Sequence, residues 1–316
     1  MMKIYLKLIR WPNLLVIAFC MYVLRYSLFI PLLHARGIEP VLSGFYFLLI
    51  VLACMLTAAS GYIINDIYDR AIDKINKPDR LIVGELISIR SAENLYIILN
   101  LAAIILGIYV SYSINLRSLS LLFPIVAGIL YFYSTTYKSI MLFGNILIAV
   151  LSALIPFTVI LFELPLLYQK YKPFMDASHF NFNLVIFAFL AYSVFAFIIS
   201  LFRELVKDIE DFEGDRAFGK NTFPVAFGTP LAKKMAFLLL IFLVTALVYM
   251  LVRYLHDPIS LMYLIGFLIA PLGYVALLLV KAQTASQFSF ISRITKIIML
   301  LGISYALILG NLIIKY

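Results

Sequence analysis

The chain has 316 residues, 64% of them hydrophobic and only 13% charged, with a mean hydropathy of +1.05 and a formal net charge of +9. Soluble domains carry about 25% charged residues, so this composition excludes one. The apolar residues run in long uncharged stretches rather than the roughly ten-residue alternating segments of a membrane barrel. The basic excess lies in short loops between these stretches, which points to topology and anionic headgroups and away from nucleic acid.

An all-α polytopic membrane protein is therefore expected. Nine spans are predicted, at about 13–33, 41–64, 94–114, 118–136, 141–162, 182–203, 234–252, 258–280 and 294–314, each near the roughly 20 residues a bilayer requires. Ahead of the first, Lys3, Lys7 and Arg10 look like the basic region of a signal peptide, but no small-residue cleavage site follows, so the segment is read as an uncleaved span. Arg25 lies inside that span, where an arginine is a functional candidate unless it snorkels to the interface. The segment from Leu164 to Phe180, aromatic and basic, reads as an outside loop in the headgroup region. Pro156, Pro258 and Pro271 are expected to kink or start helices, and Asn145, Asn311, Ser152 and Ser200 to bond between them. Cys20 and Cys54 fall inside spans, and His34, His179 and His256 are scattered, so neither residue type forms a metal-ligand pattern.

Placing the N-terminus and the loops after the second, fourth, sixth and eighth spans on one side gives that side about 18 of the 25 basic residues. The basic-rich side is cytoplasmic by the positive-inside rule. The expected topology is a multi-pass cell-membrane protein with its N-terminus inside, its C-terminus outside, and the long loops 65–93 and 204–233 in the cytoplasm. Loops this long are often functional.

Those two loops hold most of the acidic residues. Asp66 to Asp73 reads D-I-Y-D-R-A-I-D, and Asp208 to Asp215 reads D-I-E-D-F-E-G-D. Both follow D-I-x-D-x-x-x-D, at the ends of the second and sixth spans. That equivalence is consistent with a four-helix unit duplicated within a single domain of residues 1–316, with halves at about 13–136 and 141–280. Carboxylates beside apolar spans cost roughly 2.5–3.5 kcal/mol each at the bilayer centre, so two matched clusters need a reason. On a helix, Asp66, Asp69 and Asp73 share a face, as do Asp208, Asp211 and Asp215, with Asn65 one turn before Asp69. Two charges about 5 Å apart repel by about 3 kcal/mol at an effective dielectric near 20, so cations must compensate. Hard oxygen ligands suit Mg²⁺, which completes its shell with waters and substrate phosphates. Two carboxylate clusters with Mg²⁺ form a receptor for a diphosphate. Arg70, Lys74, Lys77, Arg80 and Lys138 near the first segment, and Arg203, Lys207, Arg216 and Lys220 near the second, can stabilise its developing charge.

N-D-I-Y-D-R-A-I-D from Asn65, followed by I-N-K-P-D-R to Arg80, resembles the first signature of the UbiA-type intramembrane prenyltransferases. K-D-I-E-D-F-E-G-D from Lys207, followed by G-K-N-T to Thr222, resembles their second. R-W-P-N at Arg10 to Asn13 looks like the family's opening motif, and Tyr133-Ser134 with Lys138 like its Y-S-x-x-x-K. The resemblance covers the whole chain. It implies nine helices around a central cavity and transfer of a polyprenyl group from its diphosphate to a hydrophobic acceptor in the bilayer. Two Mg²⁺ would bridge the diphosphate, held by Asn65, Asp66, Asp69, Asp73, Asp208, Asp211 and Asp215. Of these, Asp69, Asp73, Asp211 and Asp215 would be catalytic. Arg70, Lys138, Lys207 and Lys220 would bind the diphosphate, and Arg10 and Asn13 the acceptor. No obligate protein partner is implied.

R-E-L-V-K-D-I-E-D-F-E-G-D and I-N-K-P-D-R look most like the geranylgeranylglycerol-phosphate geranylgeranyltransferase branch, which implies a prenylglycerol phosphate acceptor. That branch usually continues R-P-I-P-S-G, whereas this chain has R-L-I-V-G at Arg80 to Gly84, so an aromatic quinone precursor stays open as acceptor. A CDP-alcohol phosphotransferase would need Gly where Arg70 stands. A divalent-cation transporter would place its carboxylates near the midplane and without surplus lysine and arginine.

Overall fold

The structure is a computed structural model that describes residues 2–76, 81–178 and 181–315. It consists of α1 (Met2–Leu8), α2 (Trp11–His34), α3 (Gly44–Tyr68), α4 (Arg70–Asn76), α5 (Ile89–Ser113), α6 (Arg117–Thr135), α7 (Phe143–Ser178), α8 (Asn183–Glu210), α9 (Phe212–Ala217), α10 (Phe223–Phe227), α11 (Thr229–Tyr254), α12 (Pro258–Lys281) and α13 (Ala285–Lys315). Among the described residues nine of these helices are long and apolar enough to cross a membrane, and the extended backbone is limited to the isolated bridges Val83–Ile87 and Ile140–Asn221. Hydroxyl and carboxylate caps set several starts: Ser43 accepts from the Tyr46 amide, Ser88 from the Ser91 amide and Asp257 from the Ser260 amide.

The helices fall into two compact units, residues 1–22, 39–138 and 155–187 in one, and 23–38, 139–154 and 188–316 in the other. In the first unit α3 packs on α5 and α6. Without a hydrophobic drive between helices in lipid, small residues permit close approach. Thus Gly61 lies under Leu130, and a Cβ on Gly107 would stand 2.1 Å from the Phe123 ring. A second cluster, Leu8 of α1 with Ile63, Ile64 and Ile67 of α3 and with Val83, Ile87 and Ala92, fixes the end of α3, where the first aspartate segment begins.

In the second unit, Phe202, Leu205 and Val206 of α8 join a core with Ala232 and Ala236 of α11, Leu268 and Leu272 of α12 and Ile291 and Ile298 of α13. Two spans carry a π turn, Arg25–Phe29 in α2 and Leu264–Ile269 in α12. At the first, α13 comes so close that a Cβ on Gly310 would sit 1.9 Å from the Ser27 carbonyl oxygen. Arg25 is 2% exposed and bonds Tyr26 Oη at 3.0 Å, so it does not snorkel to the headgroups.

The segment read as an outside loop from Leu164 is helical instead. Helix α7 runs 36 residues through Pro156, Pro165 and Pro173 to Ser178, leaving only the stretch around 179–180 outside the described residues. Proline and charge marked a break there, but a membrane helix tolerates proline where neighbours restore the lost bonds. Its inward face is packed, with Phe162, Glu163 and Leu167 fully buried. For the same reason α8 continues past the predicted end at 203 to Glu210, and α13 begins at Ala285 rather than 294: charged side chains on a packed helix end do not stop the backbone ladder.

Candidate active site

The two aspartate segments share a local geometry that their sequence match only partly discloses. Each was expected to lie on one uninterrupted helical face. Instead, each helix is interrupted at the middle aspartate: α3 ends at Tyr68 and α4 starts at Arg70, and α8 ends at Glu210 and α9 starts at Phe212. Asp69 has φ −82°, ψ −3°, and Asp211 φ −93°, ψ 8°, both in the sparsely allowed bridge region where many active-site residues sit. The four-residue ladder still brackets each break. Asp69 donates to the Asn65 carbonyl at 2.9 Å and Asp73 to that of Asp69 at 2.8 Å, while Asp211 donates to Lys207 at 2.8 Å and Asp215 to Asp211 at 3.0 Å.

In the first unit, Lys138, at the single turn after α6, forms an ion pair with Asp69 and donates to Asn65 Oδ1 at 3.2 Å. Asn65 Nδ2 in turn donates to Asp69 Oδ2 at 2.7 Å, so amine, amide and carboxylate close a three-membered network. Asp69 is 6% exposed. Arg10 takes the next carboxylate, Nη2 to Asp66 Oδ1 at 2.6 Å, and stacks 4.8 Å over the Tyr62 ring. At this exposure the ion pair contributes about 1 kcal/mol. Burial lowers the Arg10 pKa, but Asp66 and Tyr62 outweigh that effect and raise it above its ordinary value, so the guanidinium is charged throughout. Asn13 Nδ2 donates to Tyr62 Oη at 3.2 Å. Arg10 and Asn13, expected at the acceptor, thus hold Asp66 and Tyr62. Arg70 donates from Nε to the Ile67 carbonyl at 2.7 Å and so caps the end of α3. Lys77 and Arg80 lie outside the described residues.

In the second unit, Asn145 of α7 donates to Asp208 Oδ2 at 2.7 Å. Glu204, one turn before Asp208 and 8% exposed, receives Arg203 at 3.0 Å and Lys207 at 2.5 Å. Lys207, expected on a diphosphate, pairs with Glu204. Lys220 pairs with Asp215 across 3.6 Å, and its amide donates to the Asp215 carbonyl at 2.9 Å. Thr222 Oγ1 and Arg203 Nε are buried without a hydrogen-bond partner, and buried polar groups of this kind are costly unless a ligand completes them.

Reading the sequence missed three of these residues as site members. Tyr62 had no motif to mark it, although it lies one turn before Asp66. Asn145 was taken as a generic interhelical donor, and Glu204 as one more acid near the motif. The protein's own cations supply much of the compensation that the clustered carboxylates require. Among the described residues no three Asp, Glu, His or Cys side chains already stand together as a metal cluster. The donor set, carboxylate and amide oxygens with no sulfur or imidazole, fits a hard cation such as Mg²⁺ and not zinc.

The match to known proteins agrees with this geometry. Residues 14–300 match the UbiA prenyltransferase family. A digeranylgeranylglyceryl phosphate synthase of Saccharolobus solfataricus is 31% identical over 84% of each chain. A solved structure concerned with digeranylgeranylglyceryl phosphate synthase in membranes is 27% identical, with a TM-score of 0.57, over 100% of this chain and 99% of that one. A UbiA homologue of Archaeoglobus fulgidus, solved with GPP and Mg²⁺, shares the fold at 18% identity and a TM-score of 0.59, covering 99% of this chain and 100% of its own. With two interrupted aspartate segments, nine helices among the described residues long and apolar enough to cross a membrane, and a match over nearly the whole length, the chain belongs to the UbiA prenyltransferase family and is a multi-pass membrane prenyltransferase.

Proposed function

We propose that the enzyme, acting as one domain over residues 1–316, transfers a geranylgeranyl-type chain from its diphosphate to the free hydroxyl of a prenylglycerol phosphate. The observation that carries the donor half is a lysine amine docked on each aspartate segment, Lys138 on Asp69 and Lys220 on Asp215. The acceptor half is supported by likeness to the digeranylgeranylglyceryl phosphate synthases.

In this reading both segments serve one diphosphate. Asn65, Asp66, Asp69 and Asp73 in the first segment, and Asp208, Asp211 and Asp215 in the second, would hold two Mg²⁺. The metal, when bound, neutralises the diphosphate and makes it a better leaving group. Lys138 and Lys220 exchange their carboxylate partners for phosphate oxygens as charge grows there. Arg10 orients Asp66, and Asn145 orients Asp208. The allylic C1–O bond to diphosphate breaks, the acceptor hydroxyl oxygen forms the new bond to C1, and the hydroxyl proton passes to the departing diphosphate. Lys74 would supply a cation for the acceptor's own phosphate, and the sequence adds Lys77 and Arg80 close behind it. The N-terminus and both aspartate segments face the cytoplasm.

The test is direct. Purified protein with Mg²⁺ and labelled geranylgeranyl diphosphate should label geranylgeranylglyceryl phosphate. Transfer to hydroxybenzoate or dihydroxynaphthoate, with none to the glycerol phosphate, would move the enzyme to quinone synthesis.

A further inference from the structure

We infer that the groove between α11 and α12 in the second unit is a binding site for an anionic phospholipid, distinct from the aspartate segments. The groove has a volume of about 510 Å³, within the roughly 300–1,000 Å³ range of small-molecule sites. Its walls are apolar, formed by Phe237 and Leu238 of α11 and by Leu279 and Val280 of α12, while one end carries Lys233 and Lys234. Leu238 is 61% and Val280 62% exposed, so the long wall opens towards lipid.

The two lysines differ in what they do. Lys233 Nζ donates to the Val280 and Ala282 carbonyls, at 2.9 Å each, and so caps the end of α12 and pins α11 to it. Lys234, its neighbour, is exposed, as is Lys281 at the last turn of α12. Among the described residues no carboxylate pairs with these lysines. The sequence contains no Asp or Glu between Asp215 and Asp257, and none from residue 258 to the C-terminus. An apolar trough with lysines and no acid at one end matches a lipid with a phosphate head and an apolar chain. A neutral lipid would fill the trough but leave the lysines unmatched. A soluble phosphate would meet the lysines but leave the trough exposed.

The experiment is native mass spectrometry of the full-length protein in detergent, titrated with phosphatidylglycerol or chain-matched phosphatidylcholine. The expected result is preferential retention of phosphatidylglycerol, weakened about fivefold by Lys234→Gln and also lost on Leu238→Trp, which fills the trough. Both residues are exposed, so melting temperature and turnover should stay at the wild-type values. sn-Glycerol 3-phosphate in excess should not displace the lipid. Equal retention of the two lipids, unchanged binding in both variants, or displacement by glycerol phosphate would each overturn the proposal.

Discussion

Replacing Lys138 by Gln isolates the role of the amine on Asp69. Their side chains are 29% and 8% exposed, so the carboxylate is the more deeply buried partner. Two charges at contact attract by about 4 kcal/mol at an effective dielectric of 20. Part of that returns as hydration of the freed carboxylate, and a hydrogen bond to a charged group nets about 1.5–3 kcal/mol. A loss of about 2 kcal/mol corresponds to a melting temperature lower by about 3 °C for a chain of this length. If Asp69 is also a metal ligand, Mg²⁺ can replace the missing charge. Detergent-solubilised Lys138→Gln should then recover more stability from added Mg²⁺ than the wild type does, as read by thermal denaturation monitored by size-exclusion. Its kcat/KM for the prenyl diphosphate should fall about a hundredfold, the scale for removing one transition-state donor. Equal melting temperatures in wild type and variant, or an identical Mg²⁺ shift in both, would show that Lys138 does not compensate Asp69.

Asp69→Ala and Asp211→Ala should each abolish turnover while the protein still elutes as a folded species, and EDTA should reproduce the loss in the wild type; turnover that survives chelation would refute metal dependence. Gly310→Ala should destabilise by about 1–3 kcal/mol because its Cβ would meet the Ser27 carbonyl oxygen at 1.9 Å. Gly128→Ala, with nothing within 4 Å of its Cβ inside a helix, should instead keep or slightly raise stability in the same melting assay, by about 0.5–1 kcal/mol at most. Lys74→Gln should raise the KM of the glycerol phosphate acceptor about tenfold with little change for the donor, and equal effects on both substrates would argue against an acceptor contact. A cysteine introduced at Lys172 should react with impermeant maleimide from outside intact cells only; labelling from the cytoplasmic side would invert the topology.

Spans were legible in the sequence because twenty apolar residues in a row have few alternatives to a membrane helix. The aspartate segments were legible because the same spacing occurs at two equivalent helix ends. What escaped was set by tertiary contact. Proline at 165 and 173 reads as a breaker in isolation, and only the packing of Phe162, Glu163 and Leu167 shows why α7 continues. The partners of the cations escaped as well. Lys207 and Arg70 were counted as ligands for phosphate because they are basic and nearby. Which partners a long side chain reaches depends on its rotamer, and each of these also bonds a neighbour at one turn, Glu204 or the Ile67 carbonyl. Arg10 and Tyr62 lie too far apart in sequence for any pattern to join them.

The interruption at Asp69 and again at Asp211 has an implication for how such an enzyme could arise and be rebuilt. Two segments that share only their aspartates and one isoleucine nevertheless share a backbone conformation at the same residue, φ −82° and −93° with ψ near zero. The octapeptides differ at every other position, as Tyr68 against Glu210 and Arg70 against Phe212 illustrate. The bend is what both segments share. Transplanting the octapeptide into another helical membrane scaffold would therefore fail if the host kept the segment straight. A graft should carry the short helix that follows, α4 or α9, so that the third carboxylate arrives already turned.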